Sequence, residues 1–482
     1  MTLRRHLRQL ASESLVYGLA GVVSSLIGIV LVPVYTRIFS PVQYGVLSLI
    51  SGTIAVVAIF AVLALDSSAH RWFWDSEETA DRKKTIASWV WCQLAVSSLL
   101  ALGIIASAKR LATALSAGPE AVTLFYLAAL ALPLSGLVSV TTNWLRMQRR
   151  PWVTMSVSLG MSLLTIGLTI ALVVVAHLGL RGIFMAQAAG AALGAVAAVI
   201  LLRDWLNPRH FDPARLKAML SYALPLVPAS LAIWVVGFSG RFFVQGFADT
   251  AEVGLFQVGA SVATVAALAT GAFQQAWGPF ALSIHKQDEA REVYAAVFLA
   301  YVFLGCVLAA GLALLAPEAI RLLATERYVG ASSVVGLLAL NHVVVGLGYI
   351  AGLGLAVVRQ TRPTGIAVVV AAVVTIGLNF ALVPSFGKVG AALAILGGQI
   401  VIPAYLFRRA QAAYPIPYRF GPALGLGAIT LAIIAFGGLL HISSPWQAIA
   451  VKMALLALLV PAAALCRVIS PSQLRLLLQR AP

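Results

Sequence analysis

Apolar stretches without Asp, Glu, Lys or Arg recur from one end of the chain to the other. Most are close to the ~20 residues that an α-helix needs to cross a bilayer. Short connections that carry the charged residues separate them, so the pattern predicts a protein that crosses the membrane fourteen times. The predicted spans are 15–36, 44–65, 86–107, 121–142, 153–175, 183–202, 222–246, 254–283, 293–315, 333–357, 364–383, 389–407, 422–440 and 446–466.

The basic residues are distributed unequally between the two sides that these spans define. If the chain begins in the cytoplasm, inner segments hold 24 of the 33 Lys and Arg residues and outer segments hold nine. An excess of Lys and Arg on the cytoplasmic side is the positive-inside pattern. Arg467, Arg475 and Arg480 fall on that side only if the number of spans is even. The charge distribution therefore supports span fourteen, although Lys452 lies inside it, and predicts that both termini are cytoplasmic.

Composition and net charge exclude several classes of protein. Charged residues make up 10% of the chain and hydrophobic residues 61%. A soluble domain has about 25% charged residues, so the composition excludes a water-soluble protein. The net charge of +17 could indicate a nucleic-acid partner, but the basic residues are spread over eight inner segments instead of one face. We therefore expect no nucleic acid, and we expect the basic ends of the chain to lie on anionic membrane lipids.

The first six spans and the next six show weak internal similarity. Six is an even number, so both halves enter the membrane from the same side and form a parallel repeat. Two such bundles would be related by an axis along the membrane normal, with a cavity between them. The anchors of the repeat are Tyr17 with Arg37 against Tyr222 with Arg241, Arg146–Pro151 against Arg359–Pro363, and Gly179–Gly182 against Gly387–Gly390.

These observations predict an all-α, polytopic membrane protein with two six-helix bundles in parallel repeat and two additional C-terminal helices. The predicted divisions are a cytoplasmic amphipathic helix at 1–14, an N-terminal bundle at 15–202, a cytoplasmic linker at 203–221, a C-terminal bundle at 222–407, two further spans at 422–466 and a cytoplasmic tail at 467–482.

Charged residues within apolar spans are the first candidates for a functional site, because burying a charge in lipid is expensive. Arg241 is followed by six uncharged residues and Ala248 before Asp249, which places it ~9 Å inside the apolar end of span seven. Arg37 lies nearer the end of span one. Each either faces an internal cavity or extends to the interface as an anchor.

Asp66 and Arg71 lie at the inner end of span two. On one continuous helix, their spacing of five residues separates them by about 140°, so they do not form an i,i+4 pair. Asp66 could relay H⁺ or Na⁺, or could form a structural ion pair with another helix.

Uncharged polar residues within the spans either line a sugar-binding cavity or form hydrogen bonds between helices. His342 is also a candidate for titration near neutral pH. The candidates are Gln274 and Gln275 in span eight, Asn341 and His342 in span ten, and Asn379 in span eleven.

We find no catalytic constellation in the sequence: HExxH, GxSxG, Walker A and DxD patterns are absent. Cys92, Cys306 and Cys466 are far apart, with no CxxC pair and no cluster with His. The sequence thus predicts a protein that is not an enzyme and that uses neither a metal nor a cofactor.

Several segments resemble the Wzx-type oligosaccharide flippases of the multidrug/oligosaccharidyl-lipid/polysaccharide exporter superfamily. The resemblance covers about residues 10–410. The segments that carry it are Tyr17–Ala20, Pro33–Gly45, Leu65–Phe73, Phe273–Phe280, Asn379–Pro384, Gly387 and Gly390–Ala392.

The resemblance implies that the chain moves an undecaprenyl-diphosphate-linked oligosaccharide from the inner to the outer leaflet by ion-coupled alternating access. Arg37, Arg71 and Arg241 would then face the diphosphate or acidic sugars, and Asp66 would couple H⁺ or Na⁺. We expect a monomer in the cytoplasmic (inner) membrane, with the polysaccharide polymerase machinery as a candidate partner.

Three alternatives remain open at this stage. A lipid II flippase or a drug antiporter of the same superfamily would share the fold and the repeat. A membrane polymerase or ligase of the same pathway would need a sizeable outer loop to hold its catalytic site. The longest outer connection, 316–332, has only seventeen residues.

Overall fold

The computed structural model describes residues 30–440 and 444–468, and every regular element in those ranges is helical. The predicted amphipathic helix at 1–14, Tyr17, and all but 467–468 of the predicted cytoplasmic tail lie outside the described residues. The chain forms two compact units, one ending at Gly254 and the other beginning at Leu255.

The first unit contains ten helices in its described part. They are α1 (30–38), α2 (Pro41–Val62), α3 (Leu65–Trp74), α4 (Thr79–Ala114), α5 (Ala121–Met147), α6 (Pro151–Ile170), α7 (Gly179–Leu202), α8 (Pro213–Ala223), α9 (Val227–Phe238) and α10 (Gly240–Phe247).

The next helix, α11 (Thr250–Ile284), begins in the first unit and continues into the second. The other helices of the second unit are α12 (Ala290–Leu314), α13 (Ala316–Leu323), α14 (Ser332–Ala351), α15 (Leu353–Val357), α16 (Arg362–Ala413), α17 (Phe420–Leu439), α18 (Pro445–Ala457) and α19 (Leu459–Leu465).

Within the described ranges, twelve helical segments are long and apolar enough to cross a membrane. They correspond to predicted spans two to fourteen, because the longest of them, α16, covers spans eleven and twelve. Helix α1 is the end of predicted span one. The all-helical membrane fold predicted from the sequence is therefore confirmed, and the twelve segments agree with predicted spans two to fourteen.

Span seven packs within the first unit, where α9 contacts α2. By sequence similarity, the same span opens the second repeat. The predicted boundary between the two bundles, at 222, is based on that similarity. The boundary between the two compact units, after Gly254, is based on contacts between residues.

The start and end of α2 have local causes. At its start, the Ser40 hydroxyl accepts from the Gln43 backbone N–H at 3.3 Å, and the Gln43 side chain accepts from the Ser40 N–H at 3.0 Å. This reciprocal pair is a capping box, and Pro41 supplies the first helical residue. At its end, Leu63 and Ala64 are both left-handed, with φ of 52° and 54°. The chain therefore starts a separate helix, α3, at the C-terminal end of span two.

The turns of the predicted repeat have matching backbone geometry. Arg149 and Arg359 are left-handed, with φ of 52° and 59°. In each turn, the backbone N–H of the next residue donates to a carbonyl five residues earlier in the chain. Arg150 donates to Leu145 at 3.1 Å, and Gln360 donates to Leu355 at 2.9 Å. This is the Schellman arrangement that ends helices. A proline near the start of the next helix follows both turns.

The two glycine turns of the repeat match as well. Gly179 and Gly387 have φ of 59° and 50°. A Cβ on Gly182 would lie 3.1 Å from the Leu172 carbonyl oxygen, and one on Gly390 would lie 2.4 Å from the Leu382 carbonyl oxygen. In both halves, glycine thus permits a tight turn and a close approach of the next helix to the preceding one.

An ion pair joins the additional C-terminal helices to another helix of the second unit. Lys452 of α18 donates to the Glu318 carboxylate of α13 at 2.5 Å, and the two side chains are 10% and 19% exposed. The unfavourable charge inside predicted span fourteen therefore has a partner 134 residues away.

We expect Gly387→Ala to destabilise the protein by about 1–2 kcal/mol, because an L side chain is strained at left-handed φ. The matched control is Gly377→Ala in the same helix, where a Cβ meets open space. It should leave stability unchanged or raise it slightly, because Ala favours helix. Thermal unfolding of the detergent-solubilised protein measures both, and equal midpoints would contradict the turn geometry.

We expect Lys452→Met to destabilise the protein by about 3 kcal/mol, because it leaves a half-buried carboxylate without its counter-ion. Glu318→Met should cost a similar amount. The double variant should recover most of the loss, since an apolar pair replaces the ion pair. A thermal-unfolding double-mutant cycle measures the coupling, and additive losses would show that the two residues do not interact.

Candidate functional site

Span seven carries a buried cation beside aromatic rings. Ser239, between α9 and α10, keeps helical dihedrals of −60° and −33°. Trp234, Phe238 and Arg241 therefore follow at spacings of four and three residues on one face. Arg241 is only 8% exposed.

The contacts of Arg241 include one backbone oxygen and one ring. Its guanidinium donates to the Gly237 carbonyl at 3.4 Å and lies 4.5 Å from the centre of the Phe238 ring. Cation–π contacts of this kind strengthen when water is excluded. The arrangement therefore offsets part of the cost of holding a guanidinium inside an apolar helix.

The aromatic side chains next to Arg241 form a continuous row. The Trp234 and Phe238 rings are 6.3 Å apart and parallel to within 5°. Phe242 packs against Trp234 at 5.7 Å, and its ring faces Gly52 of α2. We call Trp234, Phe238 and Arg241 the span-seven row. The sequence drew attention to Arg241 only, although the aromatic residues at helical spacing were a signal that could have identified the rest.

Arg37 lies in the last turn of α1 and is exposed. The neighbouring Tyr35 packs against Phe39 and Tyr44, with ring centres 5.8 and 6.2 Å apart. The aromatic contacts at this position therefore involve Tyr35, and Arg37 remains accessible.

Asp66 and Arg71 both lie on the short helix α3. Within the described residues no ion pair joins them, in agreement with their spacing of five residues. Arg71 lies 4.0 Å from Asp75, and both side chains are more than half exposed. Its guanidinium also lies 5.2 Å from the centre of the Tyr222 ring. Asp66 is half-buried in the first turn of α3, where the helix dipole favours a negative charge.

Further arginines and aromatic rings pack together near α3. Arg82 lies 4.8 Å from the centre of the Phe73 ring, and Arg149 lies 5.2 Å from that of Trp74. Trp205 stacks on Phe73. These contacts form a packed cluster of aromatic rings and arginines.

The uncharged candidates of the second unit differ in exposure. Gln274 and Gln275 are exposed, whereas His342 is half-buried. Asn379 is fully buried and donates to the Thr375 carbonyl at 2.8 Å. The Oδ1 atoms of Asn341 and Asn379 are buried and have no partner within the described residues. Both amides therefore retain an unused acceptor.

A cavity of about 530 Å³ lies inside the first unit, and no motif in the sequence predicted it. Small alanines on α2, α5 and α7 create the space, and the described lining carries no charged side chain. It offers only neutral hydrogen-bonding groups, unlike the cationic span-seven row. The polar lining residues are Ser51, Ser135, Thr165 and Gln187.

Within the described ranges, no group of three or more His, Cys, Asp or Glu side chains is placed to hold a metal ion.

The fold is similar to those of solved transporters. The structure titled "Lipid II flippase MurJ, inward closed conformation" aligns with a TM-score of 0.72 and 14% identity, over 94% of this chain and 98% of that one. An inward-facing multidrug resistance MATE family transporter aligns with a TM-score of 0.66 and 16% identity, over 80% and 94%. An outward-facing one aligns with a TM-score of 0.57 and 16% identity, over 84% and 94%. At these identities the likeness shows the fold alone.

No curated protein matches the chain significantly. The family model described as "Polysaccharide biosynthesis protein" matches residues 10–285, which is more than half of the 482. With its all-helical membrane fold, the chain therefore belongs to the polysaccharide biosynthesis protein family.

Proposed function

We propose that the protein is a flippase that moves an undecaprenyl-diphosphate-linked oligosaccharide from the cytoplasmic to the outer leaflet of the cytoplasmic membrane, for polysaccharide synthesis. The observation that carries the proposal is the buried guanidinium of Arg241 on a span of a chain in the polysaccharide biosynthesis protein family. A glycan and a diphosphate cannot cross hydrocarbon unaided. A fixed cation within the membrane compensates the negative charge of the diphosphate.

The mechanism that fits this task is alternating access. Both MATE conformations, inward-facing and outward-facing, share this fold. In our proposal the protein acts as a monomer with both termini in the cytoplasm, and its product passes to the polysaccharide polymerase machinery. The polyprenyl tail stays in lipid while the headgroup crosses.

The sign of the charge at Arg241 favours an anionic cargo over a cationic drug, because like charges repel strongly where water is excluded. Lipid II is the second candidate, since the solved lipid II flippase aligns over 94% of this chain. It also carries a diphosphate, so the glycan distinguishes the two substrates.

Asp66 is our candidate for ion coupling. It is half-buried at the break between α2 and α3. A carboxylate at such a boundary can exchange a proton or bind Na⁺. Asp75 on the same connection is exposed and lies near Arg71, so it serves as the matched comparison.

We expect Arg241→Met to lower transport of the lipid-linked oligosaccharide roughly 10- to 100-fold, because a hydrogen bond to a charged group contributes ~1.5–3 kcal/mol. Arg241→Lys should retain part of the activity, because it keeps the charge without the planar donor geometry. Reconstituted vesicles with purified substrate in the inner leaflet provide the measurement.

The control for that experiment is Arg181→Gln, which removes an exposed arginine 3.8 Å from Glu120. It should transport at the wild-type rate. Wild-type transport by Arg241→Met, with normal amounts of folded protein, would remove Arg241 from the substrate path.

We expect Asp66→Asn to abolish the dependence of transport on a proton or sodium gradient, whereas Asp75→Asn should keep it. The measurement is the transport rate in vesicles with each gradient imposed separately. If Asp66→Asn responds to both gradients as the wild type does, Asp66 is not the coupling residue.

A further inference from the structure

The span-seven row combines a cation with a flat apolar surface. We propose that Trp234 and Phe238 bind the first sugar of the lipid-linked substrate while Arg241 binds the adjoining phosphate, so that the row distinguishes a glycosylated from a bare lipid diphosphate. This inference rests on the proposed function and adds the residues that recognise the sugar.

The geometry of the rings supports a platform. Two parallel rings with centres 6.3 Å apart are displaced sideways, because direct stacking would bring them closer. They therefore offer a wider surface than one ring. Phe242 supports Trp234 from a neighbouring position and packs toward Gly52 of α2, which holds the platform in place. Phe238 is 39% exposed and so is open to a ligand.

The chemistry of a glycosyl diphosphate matches this surface. A pyranose ring has an apolar face of C–H groups that packs on an aromatic ring, and its first phosphate is bonded directly to the ring. The guanidinium lies 4.5 Å from the Phe238 ring centre, close to the length of one pyranose ring with its phosphate oxygen. A sugar on Phe238 therefore has its phosphate within reach of Arg241.

A second, independent observation comes from polar atoms on the same helix. Trp234 Nε1, Ser239 Oγ and Gln245 Oε1 are buried and have no hydrogen-bond partner within the described residues. Buried polar groups are normally satisfied, so three unused groups on one short segment indicate a missing polar ligand. Sugar hydroxyls both donate and accept. Other atoms of the protein cover these three atoms in this structure. Phe238 and Arg241 therefore make the first contacts with the substrate, and the three polar groups bind it after side chains rotate.

The test uses the full-length purified protein and two probes, undecaprenyl diphosphate and undecaprenyl diphosphate carrying one N-acetylhexosamine. We expect the wild type to bind the glycosylated probe about tenfold more tightly. Phe238→Leu and Trp234→Leu should each lose most of that preference while binding the bare probe as before, because they keep apolar volume and remove the ring. Equilibrium binding in detergent micelles measures both affinities.

Two further variants separate the loss of a ring from the loss of folding. Phe238→Tyr keeps the ring and should keep the preference. Phe247→Leu removes an exposed ring about two and a half helical turns from Phe238, on the opposite face of the segment, and should change neither affinity.

The outcomes separate this inference from the proposed function. If the wild type binds both probes and the leucine variants keep its preference, the sugar platform is wrong and the flippase proposal stands. If the wild type binds both probes equally, the platform is also wrong. If the wild type binds neither probe, both proposals fail.

Discussion

Hydrocarbon accepts a polypeptide only when its backbone polar groups are paired and its charges are compensated. This constraint accounts for the helical architecture, because a helix pairs its backbone groups within one segment. It also moves charged residues to the ends of the spans, where their side chains reach water or lipid headgroups. Departures from the rule inside a span therefore carry information about structure or function.

Two such departures, Lys452 and Arg241, are resolved by different contacts. Lys452 is held by the carboxylate of Glu318 at 2.5 Å, so its charge is matched by another charge of the protein. The contacts of Arg241 include a carbonyl oxygen and an aromatic face, which are partial charges. A full opposite charge on a ligand would bind such a guanidinium more strongly than partial charges do. The first pair therefore stabilises the fold, and we propose the second as part of a ligand site.

The sequence predicted the spans well because the membrane acts on each stretch of ~20 residues separately. It also identified the repeated turns, since left-handed backbone at Gly179 and Gly387 leaves a local mark. Its weakest span was weak because of Lys452, whose partner is 134 residues away and leaves no local mark. The cavity in the first unit was missed for a similar reason, because alanines from separate helices create it. The break at Leu63 and Ala64 was hidden too, since neither residue favours left-handed backbone.

In our proposal, the same balance of charges affects how the protein releases its cargo. A cation that bound the diphosphate without any competing contact would hold it tightly and slow the transport cycle. The contacts of Arg241 include the Gly237 carbonyl and the Phe238 ring, so binding gains only the difference in free energy between such contacts and those with the diphosphate. Phe238 contributes to both the empty and the occupied site. It contacts the guanidinium, and its exposed part is available to a sugar. Because the Phe238 ring contacts both the guanidinium and the sugar, binding of the glycan depends on the free energy of the site without substrate. Binding is then selective without being too strong for release.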